Sequence, residues 1–204
     1  MKFSAIILAG GFSKRLGQEK ALTKLAGKPL ILHVLGRVPE NIDEKLVVVS
    51  SENQKETFEK TLEDKAKIVL DVRKMQSPLV GAYTGFKNVN SDYSLLLACD
   101  TPFVSSQILA FLIECCVNKS AAIPRWPNGY IEPLQAAYNT KIACTQAENA
   151  LNNGELNLRS MIARMRNIRY ISTLVLQQID PKLRTFFNIN TPLDLKRAES
   201  LLSS

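Results

Sequence analysis

The sequence predicts an α/β fold around a largely parallel sheet. Short apolar runs rich in β-branched residues alternate with segments of helical period, which is the mark of βαβ units. Glycines, cations and carboxylates gather just after those runs, where an open α/β sheet binds its ligands. With 204 residues and 46% hydrophobic content, the chain is expected to bury one full core as a single domain over 1–204.

The candidate strands, in order, are Phe3 to Leu8, Leu46 to Val49, Lys67 to Leu70, Ser94 to Ala98, Ala121 to Ile123, Leu134 to Tyr138 and Ile168 to Ile171. After Pro29, Ile31, Val34, Leu35 and Val38 recur at helical spacing; after the N-cap candidate Ser105, so do Ile108, Phe111, Leu112 and Cys115. Trp126, Pro127, Asn128 and Gly129 predict an exposed hairpin or flap between two strands. There Trp126 either covers the core edge or stacks on a ligand ring. Thr191 as N-cap, Pro192 in the first turn and acidic Asp194 start a last helix running through Leu202.

The residues that follow the strands form one set. After the first come Gly10 and Gly11, then Lys14, Arg15 and Lys20; after the second, Ser50 and Ser51; after the third, Asp71; after the fourth, Asp100. The first loop has no GxGxxG and no glycine ahead of a Lys-Ser or Lys-Thr pair, which disfavours a dehydrogenase or a P-loop ATPase. Bare backbone at Gly10 and Gly11 either lets a base or phosphate approach closely, with the cations neutralising a triphosphate, or simply makes a tight turn. Asp100, followed by Thr101 and Pro102, suits either a Mg²⁺ ion shared with phosphate oxygens or an Asx turn. Asp71 is open to a turn or salt-bridge role. His33, Cys115 and Cys116 read as core positions on helices.

The net charge of +7 favours acidic ligands. The cations are dispersed and lack the aromatic interleaving of a nucleic-acid module. Four cysteines without a CxxC pair and one histidine provide no zinc set and fit a reducing, cytoplasmic location. The first apolar run stops at Gly10 and Gly11, too early for a signal peptide, and no segment reaches the length of a membrane span.

Four motifs then stand out: LAGGFSKRLGQEK at Leu8 to Lys20, GKPL at Gly27 to Leu30, CDTP at Cys99 to Pro102 and NINTP at Asn188 to Pro192. With SPLVGA at Ser77 to Ala82 and EPLQAAY at Glu132 to Tyr138, the sequence resembles the molybdenum cofactor guanylyltransferase family over nearly its whole length. The first motif and CDTP are shared by several related nucleotidyltransferases, whereas NINTP and EPLxAxY narrow the choice.

The resemblance implies a Rossmann-like three-layer sandwich of the nucleotide-diphospho-sugar transferase type. It implies transfer of GMP from GTP to the phosphate of molybdopterin-bound molybdenum cofactor, with release of pyrophosphate. It implies that Leu8, Ala9 and Gly10, with Gly11, hold the nucleotide through backbone groups and that Arg15 and Lys20 bind phosphates. Ser50 and Asp71 would lie along the nucleoside, and Asp100 would hold Mg²⁺. Cofactor-synthesis proteins and acceptor molybdoenzymes are the implied protein partners. Glu19, Ser50, Ala98, Ser77 and Val80 depart from the family pattern, and Ser50 bears most on guanine selectivity. Rival readings are a cytidylyl or sugar-phosphate nucleotidyltransferase and a non-catalytic module that delivers cofactor.

Overall fold

The computed structural model describes residues 1–13, 18–72 and 76–202. Its strands are β1 (Phe3–Leu8), β2 (Phe12–Ser13), β3 (Gln18–Glu19), β4 (Lys24–Leu25), β5 (Lys28–Pro29), β6 (Glu44–Val49), β7 (Lys67–Leu70), β8 (Tyr93–Ala98), β9 (Ala121–Arg125), β10 (Ala136–Asn139) and β11 (Ile168–Ser172). Among the described residues seven of them form one sheet in the order β11-β9-β10-β8-β1-β6-β7. Only β10 runs against the rest, antiparallel to both β8 and β9. The register sets Ile6 of β1 between Leu46 of β6 and Leu96 of β8. Two small antiparallel ribbons, β2 with β3 and β4 with β5, lie outside this sheet.

The helices are α1 (Leu30–Leu35), α2 (Glu52–Leu62), α3 (Pro78–Asn88), α4 (Ser106–Cys116), α5 (Thr140–Asn152), α6 (Leu158–Ala163), α7 (Thr173–Leu176) and α8 (Pro192–Leu202). Side chains alternate across a strand, so β1 sends Ala5 and Ile7 to one face and Ile6 to the other. The first face packs on α1, α2, α4 and α7 through residues such as Ile31, Phe58, Leu112 and Leu176. The second packs on α3, α5 and α6 through Leu79, Phe86, Ala147 and Met161. These are the three layers that the family resemblance implies, and a small satellite core of Leu25, Leu30, Ile189 and Ala198 ties α8 to β4.

All seven expected strands are present, β1 and β7 with the expected bounds and the other five with shifted ends. The sixth begins at Ala136 rather than Leu134, because Gln135 has a φ of 70°, which breaks the extended run. Helix α1 stops at Leu35, and Val38 joins the core from the turn beyond it. On α4 the buried face is Ile108, Leu109, Leu112, Ile113 and Cys116, about one residue round from the expected stripe; Phe111 and Cys115 sit half-buried at its border. The last helix caps as expected, with Asp194 Oδ2 accepting from Thr191 N at 2.9 Å and Thr191 Oγ1 accepting from Asp194 N at 3.2 Å. His33 is buried and its Nε2 donates to Leu25 O at 3.0 Å, a packing role; burial lowers its pKa against the pull of that bond. Among the described residues no helix is long and apolar enough to cross a membrane.

Candidate nucleotide site at the carboxyl ends of the strands

β1 delivers the chain into the site between two neighbours. Ala9 N donates to Val48 O at 2.9 Å, and Leu8 O accepts from Cys99 N at 3.3 Å, so the first loop is clamped to both flanking strands before it turns away. Ala9 is fully buried in the core. A Cβ on Gly10 would stand 3.0 Å from Ser50 Cβ, which accounts for glycine there; a Cβ on Gly11 would meet open space. Ser50 Oγ lies 2.9 Å from both Gly10 O and Gln54 Oε1, and its single proton serves one of them at a time. Gln54 Oε1 also accepts from Ser50 N at 2.8 Å, while Ser51 Oγ caps α2 by accepting from Gln54 N at 3.2 Å. Ser50 is therefore a strut holding the glycine loop as well as part of the cavity wall.

Asp100 follows β8 in a tight turn and is buried. Its Oδ2 takes the Lys20 ammonium, which comes from the short 3₁₀ turn Lys20–Leu22 after β3, while its Oδ1 is buried with no partner. The same ammonium also reaches Asn190 Oδ1. Asn190 is held in turn by Asp194, whose Oδ2 accepts its amide at 3.1 Å, and the adjacent Ile189 N donates to Asp100 O at 2.9 Å. Behind the carboxylate, buried Gln135 donates from Nε2 to Thr101 Oγ1 at 2.9 Å, and Thr101 Oγ1 donates to Ala98 O at 3.0 Å.

Asp71 follows β7, anchored by its amide to Val49 O at 2.8 Å. Its Oδ1 is buried without a partner. Burial pushes the carboxyl up to about 6, countered only in part by a hydrogen bond from the Thr84 side chain of α3. Gly81 on the first turn of α3 passes close by: a Cβ there would lie 3.2 Å from Leu8 Cδ2 and 3.7 Å from Asp71 Oδ1. The amino end of α3, capped by Ser77, opens on the same space and brings the positive end of its dipole there.

Together these elements enclose a cavity of about 340 Å³ lined by Leu8, Gly10, Gly11, Lys20, Ser50, Asp71 and Asp100, with α3 and Leu134 completing the wall. The structure thus brings Leu8, Gly10, Gly11, Lys20, Ser50, Asp71 and Asp100 to one space. Ala9 lies in the core behind the wall, Ser51 caps α2 beside it, and Lys14 and Arg15 are outside the described residues. Thr101, beside Asp100, and Gln135 and Asn190, from remote segments, support the site. Their signal in the sequence was membership of the EPLQAAY, CDTP and NINTP strings, which carry no hint of what each side chain touches.

The hairpin expected around Trp126 is present. Gly129 turns it with a φ of 86°, Trp126 N donates to Tyr130 O at 2.8 Å, and Arg125 bridges Ile131. Trp126 donates from its indole N–H to Glu132 Oε1 at 2.7 Å and packs edge-on against Phe186, with ring centroids 5.7 Å apart. It covers the core edge, the plainer of its two expected roles. Burial raises the pKa of Glu132, and the bond from Trp126 opposes the shift.

A family model described as the MobA-like NTP transferase domain matches residues 5–168. A relative from Methanosarcina acetivorans, named probable molybdenum cofactor guanylyltransferase, is 34% identical over 98% of this chain and 90% of its own length. The crystal structure of molybdopterin-guanine dinucleotide biosynthesis protein A from Archaeoglobus fulgidus superposes with a TM-score of 0.84 at 31% identity, covering 98% of each chain. The 2-C-methyl-D-erythritol 4-phosphate cytidylyltransferase of Thermus thermophilus shares the fold alone, with a TM-score of 0.72 at 18% identity over the whole of both chains.

Proposed function

The chain belongs to the MobA-like NTP transferase family, and from that premise we propose that it transfers GMP from GTP to the phosphate of molybdopterin-bound molybdenum cofactor. The products are the guanine dinucleotide cofactor and pyrophosphate. The observation that carries this reading is the single cavity in which Lys20, Asp71 and Asp100 converge on the glycine loop, with a carboxylate oxygen of each acid buried and unpaired. A buried oxygen without a partner is costly unless a ligand supplies one.

Asp100 Oδ1 fits a divalent cation such as Mg²⁺. Among the described residues no group of three or more His, Cys, Asp or Glu could hold a metal, so phosphate oxygens and water must complete the shell. Such an ion supplies charge neutralisation on the triphosphate when bound. Lys20 then neutralises a phosphate from the loop side, held in place by Asn190. Gly10 and Gly11 allow the nucleotide to lie against bare backbone, and the amino end of α3 adds favourable dipole for the anion.

An oxygen of the acceptor phosphate attacks the α-phosphorus. The bond from that phosphorus to the bridging oxygen breaks, and pyrophosphate leaves with the electron pair. The attacking group is already an anion, so no general base is needed; alignment and charge neutralisation suffice. Guanine selectivity fits Asp71, whose unpaired oxygen seeks a donor edge such as the N1–H and 2-amino group that guanine presents and adenine lacks.

The test is to incubate the protein with molybdenum cofactor, Mg²⁺ and all four nucleoside triphosphates, and to identify the dinucleotide by mass. GMP incorporation should exceed every other by roughly tenfold or more, because a wrong base leaves buried polar groups unpaired. Omitting the metal should stop it. Cytidine product at an equal or greater rate would overturn the guanylyl assignment, and no pyrophosphate release with any nucleotide would overturn the transferase.

A further inference from the structure

A second cleft of about 660 Å³ opens beside the first, walled by the hairpin, α6 and β11. Two pairs of side chains in it have the same build. The Arg125 guanidinium lies over the Tyr170 ring at 5.5 Å, and that of Arg159 over the Tyr130 ring at 4.9 Å. Tyr130 and Tyr170 are 51% and 43% exposed, and neither arginine has a carboxylate partner among the described residues.

The position of this cleft matters as much as its lining. Arg125 ends β9, which runs in the direction of β8, so the cleft opens at the same carboxyl edge as the nucleotide cavity. Ile162 and Ile168 belong to the core on the α3 and α5 side, and Tyr170 shares a strand face with Ile168. Leu8, Val48 and Leu134 of the nucleotide cavity sit on that same side. One segment joins the two spaces: Ile131 lines the cleft and Leu134 lines the cavity. Three residue steps along the chain separate them, at most about 10 Å.

From this continuity we propose that the Arg125, Tyr130, Arg159 and Tyr170 cleft is the acceptor subsite, which receives a flat anionic heterocycle while the acceptor's phosphate enters the nucleotide cavity. The inference rests on the functional reading above, in which the acceptor is a pterin bearing a phosphate. Guanidinium planes and phenol rings offer stacking surfaces for a fused heterocycle, and two unpaired positive charges match its anionic substituents. A lysine can supply the charge but not the plane.

The probe is 6-carboxypterin, an intrinsically fluorescent flat anion, titrated against the full chain. The Arg125→Ala/Arg159→Ala variant should weaken its binding about tenfold and raise the KM for molybdenum cofactor by a similar factor, with the KM for GTP within twofold and the thermal midpoint unchanged. Arg125→Lys/Arg159→Lys should remain within about threefold of the alanine variant. Lys141→Ala, an exposed cation in a different part of the surface, should bind the probe as the parent does. Unchanged probe affinity and acceptor KM in the alanine variant would overturn the subsite. So would full rescue by lysine, or equal weakening by Lys141→Ala, since either reduces the effect to diffuse charge. If the parent protein forms no guanine dinucleotide, the functional reading falls and the subsite with it; if it does and the arginines are indifferent, the subsite alone falls.

Discussion

Asp71 carries the clearest pH signature of any single residue in the cavity. Its carboxyl is pushed up from 3.8 to about 6, chiefly by burial. Relative to the unfolded chain, this group adds stability in full below about pH 3.8 and loses it as pH rises through about 6. Nucleotide binding has the opposite sign, because a donor edge pairs with the charged carboxylate. The KM for GTP should therefore rise as pH falls from 7.5 to 5.5, and Asp71→Asn should flatten that part of the profile. An unaltered profile in the variant would show that the slope belongs to the triphosphate alone. Lys20, Asp71 and Asp100 were legible in the sequence because each stands just beyond a strand or the glycine loop, where topology concentrates ligands. Asn190 and Gln135 were not, since each meets its partner across a long stretch of chain and no local pattern encodes that meeting.

Among the elements, α3 packs closely on the sheet. A Cβ on Gly85 would come within 2.3 Å of Ile6 Cγ2, so the helix rests on β1 with no room for a methyl group. In an exposed helix, glycine to alanine gains about 1 kcal/mol. Here the overpacking should outweigh that gain, and Gly85→Ala is expected to destabilise by about 1–3 kcal/mol, read as a lower thermal midpoint. A raised midpoint would mean that β1 yields without cost. The strands were readable because buried β-strands are plain apolar runs. Several helices were not: α2 buries only Gln54, Phe58 and Leu62, and α5 makes its face largely from alanines, so neither shows a strong apolar stripe. The ribbons β2–β3 and β4–β5 are two residues per strand, too short for any periodicity.

For the molecule as a whole, two apolar layers share one sheet, and each strand such as β1 contributes to both. Losing either layer uncovers the strands that anchor the other, so 1–204 is expected to unfold as one cooperative unit. Calorimetry should give a single transition whose van't Hoff and calorimetric enthalpies agree; two resolved transitions would divide the chain. The parallel α/β plan was legible from the alternation of runs and helical segments, and its three layers from the family resemblance. The reversal of β10 was not, since an apolar run reads the same in either direction. That reversal places the start of β10, rather than its end, at the ligand edge, so the hairpin that precedes it emerges at the same edge and walls the second cleft. On the proposed reading, the nucleotide lies at strand ends tied into the core through Leu8, Val48 and Cys99, whereas the acceptor lies at the sheet's margin, between β9, the hairpin, α6 and β11. Substitutions in that margin are therefore expected to change which acceptor is used while leaving the nucleotide unchanged, because the two spaces share no lining residue.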